Sequence, residues 1–442
     1  MADNDHVSLG GAIAIGIGGM VGGGIFAVLG VVAVDAGAGT PLAFLIAGVV
    51  ALLTGYSYTR LSVALPSGGG TVVFVDRAFG TDLLSGSVNV LLWLGYLVTV
   101  SLYAVAFANY GATFFVGDQP PGWLLLHGLI TAAVLIPALI NLFNAALVAR
   151  AETVVVVVKL IVLGIVTVAG WRFIDFSRLA PGDWPSIPAI AAAGMLIFVA
   201  YEGFELIANS GDDVDDVEGT LGKAYYVAIA IVVVLYFLIA IVTVGNLSPS
   251  EIGEYADFAL AKAAEPSLGQ LGFTLVAASA VLATFSAINA SLYGSARLSA
   301  SIAVEGELPR ELERRVWSQP VGLLITAGGS LVLANTLDLT AISTIASAGF
   351  LVVFGAVNAA CFKLSSSVGS SRVVSGTGVV GCFGALVVLV VKTIEDEPAS
   401  LLVLVGMTLT ALIIEWTYLR SQRSRRGRDR MNLVTKGEVP SD

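Results

Sequence analysis

Metal-binding and redox chemistry have little to work with in this chain, whose 442 residues hold two cysteines and two histidines. Cys361 and Cys382 lie in or beside apolar segments without a C-x-x-C spacing, and read as reduced packing residues. His6 and His127 stand alone near expected helix ends, so no metal site is expected. Charge is scarce as well. Asp, Glu, Lys and Arg make up 12% of the chain, against about 25% in a soluble domain, which excludes an ordinary soluble globular protein. No nucleophile–base set, metal cluster or nucleotide-binding loop is visible, so the chain is not expected to be an enzyme. Neither a cofactor nor a nucleic-acid partner is expected, and nothing in the sequence sets an oligomeric state.

What the chain does have is apolar surface: 57% of residues are hydrophobic and the mean hydropathy is +0.90. A membrane span needs ~20 apolar residues, which leaves room for about twelve. Apolar runs between charged or turn-rich breaks fall near 8–34, 41–64, 84–116, 123–143, 152–171, 188–209, 224–246, 270–300, 320–337, 340–362, 376–392 and 400–419. The opening Met-Ala-Asp-Asn-Asp has no basic n-region, so the first run is expected to be a permanent helix rather than a cleaved signal. The segment 248–267, polar with scattered apolar residues, reads as an external re-entrant or amphipathic cap.

The net charge is −10 and the pI about 4.8, and six of the 22 basic residues are lysine. Surface carboxylates help keep proteins soluble in high salt, so this balance suggests a halophilic host, with drift in loop composition as the plainer reading. The basic residues also set an orientation. With the N-terminus inside, the cytoplasmic face collects Arg77, Arg150, Lys223, Arg310, Arg314, Arg315, Lys363, Arg372 and the tail. The outside keeps Arg172, Arg178, Lys262 and Lys392. Both termini are then cytoplasmic in a multi-pass protein of the cell membrane. The basic tail, 420–442, carries six arginines between Arg420 and Arg430. It reads either as a contact with anionic membrane lipid or as a stop-transfer anchor.

Two apolar runs are interrupted where a spanning helix should be strongest. In the first, Gly16-Ile17-Gly18-Gly19-Met20-Val21-Gly22-Gly23-Gly24-Ile25-Phe26 concentrates glycine mid-span, and glycine costs a helix interior about 1 kcal/mol relative to alanine. In the sixth, Phe198-Val199-Ala200-Tyr201-Glu202-Gly203-Phe204-Glu205 places a glycine and two carboxylates in an apolar segment. Unwound backbone at membrane depth is tolerated only where it is buried in protein or lines a cavity. Gly24 and Gly203 lie about 180 residues apart, so spans one and six are broken at corresponding places. Five spans followed by five must be inverted relative to one another, and matched breaks in inverted halves point to a midplane binding site. The expected organisation is one transmembrane domain over 1–442. Its repeats cover 8–171 and 188–362, and two peripheral helices lie within 376–419.

Four motifs in order give the chain a resemblance to the amino acid–polyamine–organocation superfamily of permeases. They are the glycine-rich first span ending in Gly24-Ile25-Phe26, and Leu65-Pro66-Ser67-Gly68-Gly69-Gly70 followed by Arg77-Ala78-Phe79-Gly80. The Ala200-Tyr201-x-Gly203-Phe204-Glu205 run is the third. The fourth is Tyr293-Gly294-Ser295-Ala296-Arg297 followed by Glu305-Gly306-Glu307-Leu308-Pro309. The resemblance implies an all-α integral membrane protein with twelve transmembrane helices, a leucine-transporter-like 5+5 inverted repeat with helices 1 and 6 broken, and alternating access.

An amino acid substrate presents a carboxylate and an ammonium. The half-helix beginning near Gly24 offers free N–H groups and a positive dipole to the carboxylate. Carbonyls freed before that break and near Ala200 suit the ammonium. The resemblance carries substrate contact onto Gly22, Gly23, Gly24 and Ile25 and onto Ala200 and Tyr201, with Gly203 at the second break. Close helix packing is the other reading of these glycines, and the favoured one for Gly16 and Gly19. Phe198 and Tyr201 are candidate aromatic lids, and Tyr96 and Tyr103 of span three are further candidates to face the pathway.

Lys159 lies in a valine run, seven residues past Glu152, or ~10 Å of helix. It either snorkels to the cytoplasmic face or faces inward as a pathway or proton-relay group. The resemblance implies the second: in proton-coupled relatives a lysine at this place takes the position of a sodium ion and points at a carbonyl that maps to Gly18. A sodium-driven carrier is the alternative, with Thr284 and Ser286 supplying hydroxyls to the ion. Glu205 matches an acid common in the family and is a candidate for proton sensing or gating. Glu202 departs from the family pattern, and four roles stand open: selecting a cationic side chain, pairing with the substrate ammonium, carrying a second proton, or partnering a freed N–H near the break. The expected function is secondary active, proton-coupled uptake of amino acids. An exchanger, an amine carrier and a non-transporting sensor are the rivals, and the short tail disfavours a sensor.

Overall fold

A chain this apolar satisfies its backbone in lipid by forming helices, and helices account for nearly all of the fold. The computed structural model describes residues 7–143, 145–304, 308, 312, 314–316, 319–396 and 398–435. His6, Glu305, Gly306, Glu307, Pro309 and Arg310, and the side chains of Arg150, Glu152 and the tail arginines, lie outside the described residues.

In chain order the helices are α1 (Leu9–Met20), α2 (Gly24–Ala36), α3 (Thr40–Ala64), α4 (Gly70–Phe79), α5 (Leu83–Val116), α6 (Trp123–Phe143), α7 (Ala145–Gly170) and α8 (Ile187–Ile197). They continue with α9 (Val217–Asn246), α10 (Pro249–Glu254), α11 (Ala259–Val304), α12 (Gly322–Thr336), α13 (Leu339–Lys363), α14 (Ser365–Val368), α15 (Arg372–Asp396) and α16 (Pro398–Thr435). A two-residue antiparallel ladder pairs Arg315–Val316 with Gln319–Pro320. Short polar residues start the helices: Ser8, Asp82, Ser186, Asp216 and Asp338 each accept a first-turn backbone N–H, of α1, α5, α8, α9 and α13 respectively.

Helices occupy all of the apolar runs read from the sequence. Ten helical stretches among the described residues are long and apolar enough to cross a membrane, with α2 and α3 joined as one, while α1 and α12 are shorter. The segment 248–267 is largely helical. Ser248 caps the short α10, and helix resumes at Ala259 and bends at Gly269 (φ 60°) before continuing as α11. Leu260, Ala261, Ala263 and Ala264 are buried while Lys262 pairs with Asp118 and Glu265, so packing on one face holds this stretch in an amphipathic helix.

In the interior α11 lies along α5 and α7, α3 against α9, and α13 between α5 and α15. The rim is apolar in the outward direction: Leu135 and Leu139 of α6, Val157, Ile161 and Val168 of α7, Val380 and Val387 of α15, and Leu402 and Leu409 of α16 are exposed. Large apolar side chains on the outside suit hydrocarbon rather than water. The face of α7 that turns inward carries Val156, Lys159, Leu163 and Val166, all buried, at the three- and four-residue spacing of one helical stripe. Lys159 is therefore placed inward by the register of its own helix. Cys361 and Cys382 are both free and buried.

Candidate functional site

The two interrupted helices meet at their breaks. α1 stops at Met20 and α2 starts at Gly24, leaving Val21, Gly22 and Gly23 between them. α8 stops at Ile197, and the chain continues in 3₁₀ turns, Phe198–Tyr201 and Phe204–Asp213, with Glu202 extended and Gly203 left-handed (φ 117°) between the turns. A Cβ on Gly203 would stand 2.3 Å from the Gly19 carbonyl carbon, and one on Gly24 would stand 2.8 Å from Ala200 Cα. Backbone thus touches backbone on both sides of the crossing, and Gly203 meets the demand of its positive φ as well. Gly16 packs against Ile207 and Ala228, a helix-contact role.

Several polar groups freed by the second break are met by side chains inside the protein. Ser347 on α13 accepts from Val199 N (3.0 Å) and donates to Leu196 O (2.9 Å). Glu205 accepts from Gly203 N (2.7 Å) through Oε2 and from the Tyr96 hydroxyl (3.2 Å) through Oε1. Tyr236 on α9 directs one hydroxyl at two carbonyls, Met20 O at 2.7 Å and Ala200 O at 3.2 Å, one from each broken helix. The first break is treated differently. The start of α2 has no side-chain cap, so its leading N–H groups and dipole face the junction.

Beside this crossing lies a cavity of about 30 Å³, lined by Gly18, Gly19, Tyr96, Tyr103, Lys159, Glu202, Gly203, Leu206, Ser286, Ala287, Ala290, Ser291 and Gly294. Its wall on α11 is made of small residues. Lys159 is 3% exposed and donates from Nζ to Gly18 O at 2.9 Å, so it does not snorkel. Glu202 is 3% exposed and accepts from the Tyr103 hydroxyl at 3.3 Å. Glu205 lies close by, its own oxygens holding Gly203 N and the Tyr96 hydroxyl. The Tyr103 ring covers the first break: a Cβ on Gly23 would fall 2.3 Å from its Cδ1, and one on Gly22 would fall 3.5 Å from its hydroxyl oxygen.

The structure thus brings together Gly18, Lys159, Glu202, Gly203 and Ser286, with Gly22, Gly23, Gly24, Ala200 and Glu205 in the adjoining backbone crossing. Ile25 is buried in the first turn of α2. Phe198 and Tyr201 take other places than that of lids over this cavity. Tyr201 donates its hydroxyl to Phe44 O (2.9 Å) and packs on Tyr236, while Phe198 packs edge-on to Phe354. The 3₁₀ turn aims both rings at the surrounding helices rather than into the opening. Thr284 is also apart from the cavity lining, its hydroxyl donating to Ala280 O at 2.7 Å. Tyr236 and Ser347 are parts of the crossing that the sequence reading does not contain. A tyrosine or serine in an apolar helix carries no spacing signal that separates such a role from packing.

Comparison with known proteins matches the family model for amino acid permeases over residues 7–412. Among relatives, an inner membrane transport protein of Escherichia coli, YbaT, is 32% identical over 421 residues, 95% of this chain and 97% of its own length. An uncharacterised protein of Methanocaldococcus jannaschii is 33% identical over 371 residues, 84% of this chain and 85% of its own length. The methylthioribose transporter of Bacillus subtilis is more distant, 24% identical over 310 residues, 67% of this chain and 66% of its own. Crossed helix breaks inside an apolar helical bundle and a family match along nearly the whole chain agree. This chain belongs to the amino acid permeases of the amino acid–polyamine–organocation superfamily, membrane transporters rather than enzymes.

Proposed function

We propose that the protein carries amino acids across the membrane by alternating access and couples their uptake to protons. The observation that carries this reading is the buried Lys159 ammonium bonded to Gly18 O in the half-helix before the first break. A protonated lysine ties α7 to α1, and a neutral amine makes a weaker bond, so proton binding and the position of α1 become linked. The substrate carboxylate is received by the N–H groups at Gly23, Gly24 and Ile25, and the ammonium by groups of the second break. In this cycle 8–171 and 188–362 form inverted repeats, 376–419 is peripheral, and both termini are cytoplasmic. The backbone contacts Gly19–Gly203 and Gly24–Ala200 support that arrangement, since they join corresponding places of the two halves.

Uptake of labelled amino acids into proteoliposomes under imposed pH or sodium gradients tests the reading. Lys159→Ala is expected to abolish accumulation driven by a pH gradient. Undiminished accumulation in that variant would sink proton coupling through Lys159. Accumulation that follows sodium instead would move coupling to an ion held by hydroxyls such as those of Ser286 and Thr284. A second reading is a related solute without an amine, favoured by the methylthioribose transporter among the relatives.

A further inference from the structure

We propose that Glu202 receives the amine of the transported solute, and that Tyr103 occupies the solute's place in the conformation seen here. This rests on the transport reading above. The cavity beside the break, about 30 Å³, holds a water or two at most, so a solute enters by displacing a side chain. Tyr103 both lines that cavity and covers Gly22 and Gly23. The wall facing it, Ala287, Ala290 and Ser291, is already small and has little to move.

The hydroxyl of Tyr103 is the donor that Glu202 Oε2 holds, at 3.3 Å. An O–H···O bond is commonly near 2.7–2.8 Å, so this one is long and readily exchanged. When the phenol leaves, a buried carboxyl loses a donor, and leaving such a group unsatisfied is costly. An ammonium restores the donor and adds charge complementarity; a hydroxyl restores the donor without the charge, and a carboxylate brings neither. Glu205 is a poor competitor for the amine, because its oxygens already hold Gly203 N and the Tyr96 hydroxyl. Its acidic group beside Glu202 makes the place still more favourable to a cation. The selectivity for amines therefore sits on a side chain, while the carboxylate is recognised by backbone.

The test is equilibrium binding of tritiated L-amino acids to purified full-length protein, repeated for each binder with its amine replaced by hydroxyl. Wild type is expected to bind the amino acid and not the hydroxy acid. Glu202→Gln should weaken amino acid binding at least tenfold (an order-of-magnitude loss, ~1.4 kcal/mol) and shrink the discrimination. Tyr103→Phe keeps the ring, frees Glu202 and should tighten amino acid binding several-fold. Weaker binding in Tyr103→Phe would make the hydroxyl a direct solute contact and overturn the proposal, as would an unchanged amine preference in Glu202→Gln. A ligand-free readout accompanies these: thiol labelling of Ser291→Cys should speed up when Tyr103→Phe is added, and an unchanged rate refutes the hold of Glu202 on Tyr103. If no amino acid binds wild type, the amino acid reading falls and the amine claim with it, while the labelling rates still decide the fate of the Tyr103–Glu202 contact.

Discussion

The two helix breaks differ in who satisfies them. At the second, between Ile197 and Phe204, side chains from other helices and from the segment itself take up freed groups: Ser347 on Val199 N and Leu196 O, Glu205 on Gly203 N, Tyr236 on Ala200 O. At the first, glycines predominate and α2 begins without a side-chain cap. The first break also has a side-chain partner, Tyr236 on Met20 O, but on its carbonyl side; the N–H groups that open α2 have no side-chain cap. The two breaks thus differ in chemistry, and in the proposed cycle recognition of the solute carboxylate falls to the first.

Substitutions that fill either break test this contrast. The largest effect is expected from Gly203→Ala. A left-handed non-glycine residue costs roughly 1–2 kcal/mol, and its methyl would stand 2.3 Å from the Gly19 carbonyl carbon, so the variant should lose thermal stability and monodispersity in detergent. A melting temperature equal to wild type would mean the crossing is looser than described. Gly23→Ala should act on binding more than on stability. Its methyl meets the Tyr103 ring at 2.3 Å, a side chain that the proposed cycle displaces, so stability falls less than in Gly203→Ala while solute binding falls about tenfold, ~1.4 kcal/mol. Equal losses of stability in both variants would erase the distinction between a structural and a receptive break. The smallest effect belongs to Ser347→Ala, which removes the neutral bond to Val199 N–H, worth about 0.5–1.5 kcal/mol net, read as a slightly lower melting temperature with solute affinity preserved. A loss of affinity with no change in melting would place Ser347 on the solute instead.

The apolar runs and both breaks are legible in the sequence because their signals are local. Glycines and carboxylates stand out in otherwise apolar stretches, and Lys159 stands out among valines. The directions of side chains leaving a break are not local. Phe198 and Tyr201 sit beside the second break, yet the 3₁₀ turn sends Tyr201 to Phe44 O and Phe198 to Phe354. Tyr103 reads as one pathway candidate among several until its ring is placed over Gly23 from another helix. Tyr236 is less visible still, since its role depends on two carbonyls distant in sequence, those of Met20 and Ala200. The helical course of 259–268 is hidden by its polar residues and revealed by the burial of Leu260 and its alanine neighbours.

The bond from Lys159 to Gly18 has a thermodynamic reach beyond its 2.9 Å. A hydrogen bond to a charged group is worth about 1.5–3 kcal/mol, which corresponds to roughly a tenfold to hundredfold change in the ratio of two conformers. In the proposed cycle, one proton on one amine is enough to reverse the ratio of two conformers that differ by no more than that, without a large rearrangement of charge. A carrier built this way needs only a shallow energy difference between its conformers, and its direction follows from which compartment last supplied the proton.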